Sequence, residues 1–83
     1  MASLLDLRRQ VDILDRQMVE LLSRRTVLVK QIIRILDEEE DKGREIQVLS
    51  NWLEHAFDHD LDEAGVEKIC KAVMELARRS REV

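Results

Sequence analysis

The chain has 83 residues, a net charge of -4, no Pro, two Gly, one Trp, one Phe and one Cys. That length allows one small domain, expected to span residues 1–83, and a composition led by Leu, Ile, Val, Glu and Arg is an all-helical one. The acidic balance argues against nucleic-acid binding, one cysteine excludes an internal disulfide, and no Gly-rich phosphate loop, nucleophile elbow or Cys/His zinc pattern is present. No apolar run approaches membrane-spanning length and the N-terminus lacks a signal-peptide pattern, so no membrane role and a cytoplasmic location are expected.

The first predicted helix runs from about Ser3, a candidate N-cap, to Leu36. Leu4, Leu7, Val11, Leu14, Met18, Leu21, Arg25, Leu28, Ile32 and Ile35 follow one another at alternating spacings of three and four. Val19, Leu22, Val29, Ile33 and Leu36 form a second apolar strip beside that seam. A helix from Leu4 to Leu36 is roughly 50 Å long at about 1.5 Å per residue. A compact globule of this size is only about 30 Å across, from a radius of gyration of about 12 Å. The helix therefore projects beyond its own domain with an apolar seam in water. A second copy packing antiparallel along it, in a two-fold homodimer, is the simplest remedy.

Five acids and a glycine, Asp37 to Gly43, read as a solvated helix end or loop. The second helix is expected from about Arg44 to Phe57, with Glu45, Leu49, Trp52 and Ala56 on one stripe and a linker from His55 to Asp60. Asp60-Leu61-Asp62-Glu63 resembles a capping box that opens the third helix. That helix carries Val66, Ile69, Cys70, Val73, Met74, Leu76 and Ala77, then Arg78, Arg79 and Arg81, which read as a solvated, dipole-complementing end. Cys70 falls on the apolar stripe and reads as an inert core thiol.

The charge on the seam is the feature that points to chemistry. A guanidinium keeps its proton and is rarely buried without a partner. Either Arg25 pairs with Glu45, or with Asp12 or Asp15 of a partner chain, or the fold keeps a pocket there for an external anion. Arg8 lies on the same helix about 25 Å away. In an antiparallel dimer, Arg8 of one chain approaches Arg25 of the other. With Arg44 and the inward-pointing Glu45 they would make a site for a small dicarboxylate. The excess of ten Arg over four Lys leans the same way, because Arg grips carboxylates bidentately. His55 and His59, four apart and near Asp58 and Asp60, have metal-ligand spacing but straddle a predicted helix end. They read as surface linker residues, and no metal is expected.

Leu7-Arg8-Arg9-Gln10-Val11-Asp12-Ile13-Leu14-Asp15, followed by Leu21-Leu22-Ser23-Arg24-Arg25, resembles the first helix of the all-helical (AroQ-class) chorismate mutases. Arg44-Glu45 after Asp41 resembles that family's opening of the second helix, and His59-Asp60-Leu61-Asp62 its turn into the third. The resemblance covers nearly the whole chain. It implies a three-helix protomer, an intertwined antiparallel homodimer, and two sites that take arginines from both chains. The reaction implied is the rearrangement of chorismate to prephenate, in aromatic amino acid biosynthesis by the shikimate pathway, with no cofactor. By similarity, Arg8 of one chain and Arg25 of the other would bind the substrate carboxylates. Arg44 would line the pocket, Glu45 and Asp41 would hold the ring hydroxyl, and Ala77 and Arg81 would stand where the family has Ser and Gln.

The sequence departs from the family pattern at Leu36, where the family carries a lysine that contacts the ether oxygen. Arg34 lies about 200° around the helix from that position. Arg81 is the expected replacement cation, and reduced activity is expected. Two rivals stand beside this reading: an isochorismate-pyruvate lyase of the same fold, and a non-catalytic helical dimerisation domain.

Overall fold

A computed structural model describes residues 1–36 and 42–80. They form three helices and no strand: α1 (Leu4–Leu36), α2 (Lys42–Asp58) and α3 (Glu63–Ser80). The all-α expectation is met. The acidic run 37–41 and Arg81 lie outside the described residues.

The helix boundaries follow from local hydrogen bonding. Ser3 caps α1 reciprocally: its Oγ accepts from the Asp6 amide at 3.1 Å, and Asp6 Oδ2 accepts from the Ser3 amide at 3.4 Å. At the other end of the chain the expected cap shifts. Asp62, not Asp60, opens α3, its Oδ2 accepting the Gly65 amide at 2.8 Å. Asp60 instead closes α2. It sits in the left-handed region at φ 56, the Leu61 amide reaches back to the Ala56 carbonyl at 2.9 Å, and the Asp60 amide reaches the Phe57 carbonyl at 3.3 Å. That pair of bonds is a Schellman motif, with Asp60 where glycine is the usual residue. The connection is therefore tight, and His55 belongs to α2 rather than to a linker. Gly43 is likewise helical, inside the first turn of α2.

The α3 helix packs against both of the others, whereas among the described residues α1 and α2 make no close backbone approach. Among the described residues, the buried ones are Ala56 of α2 with Cys70, Val73 and Ala77 of α3. They are small, so the two helix backbones can come close. No residue of α1 is buried. Its half-buried face is Leu22, Arg25, Thr26, Val29, Lys30 and Ile33: three residues of the second apolar strip and, from the seam, Arg25. The apolar residues of the seam stay exposed, from Leu4 (64%) through Leu14 (56%) to Ile35 (82%). The extents are 53 × 29 × 15 Å and the radius of gyration is 15.5 Å, well above the ~12 Å of a compact chain of this length. Helix α1 thus projects as its length demands. No helix of the described residues is long and apolar enough to cross a membrane.

Candidate functional site

Because α1 and α2 flank α3 without meeting, a partly open hollow of about 90 Å³ remains between the three helices. Val29, Ile32 and Ile33 of α1, Val48 of α2, and Met74 and Ala77 of α3 supply its apolar wall. Among the described residues, four charged ones share that wall: Arg25 from α1, Arg44 and Glu45 from the first turn of α2, and Arg78 from the last turn of α3. Helical spacing explains the convergence. Arg25 stands one turn before Val29, Arg44 and Glu45 one turn before Val48, and Arg78 one turn after Met74.

The pairing among these groups differs from the sequence expectation. Glu45 does not answer Arg25. Its Oε1 accepts a hydrogen bond from Arg78 Nη2 across the α2–α3 boundary. Arg78 Nη1 donates in turn to Glu75 Oε2 at 3.0 Å, so one guanidinium bridges two carboxylates. These contacts hold the Arg78 pKa above its ordinary value, Glu45 acting more strongly than Glu75. Glu75 lies below the usual carboxylate range because Arg78 and then Arg79 donate to it. Arg44 Nη1 donates to Gln47 Oε1 at 2.6 Å. Arg25, in contrast, makes no ion pair with any described residue.

One helical turn before Met74 on α3 lies Cys70, fully buried. Burial pushes its thiol pKa up, the Arg25 charge pulls it down less strongly, and Glu67 adds a smaller upward push. The direction fits the core thiol expected from the sequence.

Of the residues singled out from sequence, the chain brings together Arg25, Arg44, Glu45 and Ala77. Arg8 is exposed on α1 and does not line the hollow of its own chain. Asp41 and Arg81 lie outside the described residues. His59 Nδ1 sits 2.9 Å from the His55 carbonyl oxygen, and among the described residues no three His, Cys, Asp or Glu are grouped as metal ligands.

Sequence reasoning missed Arg78. The spacing groups it with Arg79 and Arg81 as a solvated helix end; Arg79 fits that description, with 79% of its side chain exposed, whereas Arg78 is 38% exposed. The signal was available. Arg78 follows Met74 by one turn, so it is a charge extending an apolar stripe, just as Arg25 is on α1.

The hollow can take an anion: among the described residues three guanidinium groups and one carboxylate border it, and apolar side chains line the rest. It is also small, since pockets for organic ligands typically run to about 300–1,000 Å³. A family model described as chorismate mutase type II matches residues 7–82 of the chain. Searches of curated proteins and of solved structures return no match.

Proposed function

We propose a reaction for this chain, which belongs to the chorismate mutase type II family: the rearrangement of chorismate to prephenate in an arginine-lined pocket shared by two copies. The observation that carries it is Arg25, a half-buried guanidinium without an ion-pair partner among the described residues, facing a hollow with Arg44 and Glu45. A stabilising role alone would have matched that charge with an internal acid. A site for an external carboxylate leaves it unmatched until the ligand arrives.

The chemistry suits such a site. In the rearrangement the ether C–O bond of chorismate breaks while a C–C bond forms within the same molecule. No proton, electron or group is exchanged with the protein, so neither a nucleophile nor a base is required. What lowers the barrier is restraint of a flexible dianion in its compact conformer, and positive charge near the ether oxygen as its bond weakens. Arg25 and Arg44 supply fixed positive charge. Val29, Ile33, Val48 and Met74 supply a water-poor wall that strengthens it. Glu45 supplies an acceptor for the ring hydroxyl. Asp41 and Arg81 remain part of the proposed substrate-binding set.

Two features support a homodimer as the working form. The α1 seam exposes Leu4, Leu7, Val11, Leu14, Met18 and Leu21 in one continuous stripe, and monomers rarely leave such a stripe in water. The hollow is also too small to enclose chorismate, so a second surface is needed to complete it. An antiparallel copy along α1 covers the stripe and carries its own Arg8 to the Arg25 of the first chain.

The test is incubation of purified protein with chorismate and, separately, with isochorismate. Prephenate from the first substrate supports the proposal. Salicylate and pyruvate from the second, without prephenate from the first, replace it with lyase activity. Inertness toward both leaves a non-catalytic dimer and ends the reading.

A further inference from the structure

We propose that Arg78 is a ligand-contacting residue of the pocket, the cation that α3 contributes, and not merely a clamp between α2 and α3; this rests on the dicarboxylate-binding site proposed above. On α1, every wall residue of the hollow other than Arg25 is apolar. On α2, Arg44 stands beside Glu45, whose charge opposes it. On the α3 side, positive charge comes from Arg78 among the described residues. With Arg78 included, each of the three helices brings a guanidinium to the wall of the hollow.

The geometry favours contact over simple clamping. A guanidinium carries five N–H donors. The pairs to Glu45 and Glu75 use one donor on each Nη, which leaves three for a ligand. Arg78 also borders the groove on the other side of the α2–α3 boundary, together with Glu45, Met74, Lys42 and Lys71. It therefore stands at the ridge between two concavities, with 38% of its side chain still exposed. Two carboxylates, one from α2 and one from its own helix, hold the group in place before a ligand binds. A group held in this way loses little freedom when it contacts a bound anion.

The test compares the wild-type chain with Arg78→Met, Arg78→Lys and Glu75→Gln, measuring KM and kcat for chorismate, inhibition by prephenate, and thermal unfolding. Arg78→Met is expected to raise KM and the prephenate inhibition constant in parallel, by roughly tenfold or more, as for loss of one charge-assisted contact to a bound carboxylate. Arg78→Lys is expected to recover part of that loss. Glu75→Gln, which removes one of the two carboxylates that hold Arg78, is expected to raise KM by less than Arg78→Met does. A clamp alone would lower the melting temperature of Arg78→Met and leave KM and inhibition unchanged, and that result overturns the inference while the proposed reaction stands. If Arg78→Met does not fold, unchanged KM and inhibition in Arg78→Lys overturn it equally, because a compact ammonium cannot reproduce the fork. A wild-type chain that neither turns over chorismate nor binds prephenate overturns both readings together.

Discussion

Glu45 of α2 is held by Arg78 of α3, and Arg25 of α1 is left facing the hollow without an ion-pair partner among the described residues. The consequence is a division of labour among three guanidiniums that look alike in sequence. One is tied to two carboxylates and fastens α2 to α3. Another, Arg44, leans on Gln47. Arg25 keeps its charge uncompensated where three helices diverge.

Replacement of Arg25 by leucine is expected to separate function from stability. Turnover of chorismate should fall by about a hundredfold or more, the cost of removing one preorganised donor from a charge-stabilising site. The melting temperature should hold or rise, because an unpaired half-buried charge gives way to an apolar side chain among Leu22, Val29 and Ile33. Prephenate assays and thermal unfolding on the same preparation check both halves. Equal activity in the variant would remove Arg25 from the site.

A site built from two chains makes a mixing prediction. Arg8→Ala and Arg25→Ala should each be nearly inactive alone. Unfolded together and refolded as a mixture, half of the dimers are expected to be mixed, and each of those carries one site with both arginines intact. Activity should return to about a quarter of wild type. Assays of the mixture against the separate variants decide this, and no recovery would place Arg8 outside the pocket.

Acid should loosen the far end of α3. Hydrogen bonds from Arg78 and Arg79 lower the Glu75 carboxyl pKa in the folded chain. A lowered folded-state value means the stabilisation is fully present above the ordinary glutamate value and disappears as pH falls through the lowered one. Glu75 is exposed, so the effect is small. Urea midpoints measured across the acidic range should fall more gently for Glu75→Gln than for the wild type. Parallel acid limbs would show that these bonds do not persist in solution.

Asp60 holds a left-handed backbone conformation at the end of α2, at φ 56. Side chains other than glycine resist that region. Asp60→Gly should therefore stabilise the chain by about 0.5–1 kcal/mol with no change in the pocket, which lies at the opposite end of α2. Chemical denaturation gives the magnitude, and destabilisation would mean that the Asp60 side chain makes a compensating contact.

How far the sequence could be read depends on the range of the interaction. Ser3 was legible as a cap because its partner, Asp6, is three residues away. The α1 period was legible over 33 residues because a helix repeats its face whatever surrounds it. The boundary near Asp60 was misassigned because Asp60 and Asp62 offer equally good caps in a string of letters. The choice fell to the backbone, which needed a left-handed residue to close α2 before α3 could begin.

The sequence by itself determined three helices, the excessive length of the first, and a charge on its apolar face, since periodicity and reach are properties of a single helix. Only the tertiary structure decided which arginine meets Glu45. Arg78 and Glu45 are 33 residues apart in the chain, and their meeting depends on the approach of α2 to α3 through Ala56, Cys70, Val73 and Ala77. Competition between two guanidiniums for one carboxylate is settled by the angle and distance at which helices pack, and neither is written in the spacing of residues along one helix.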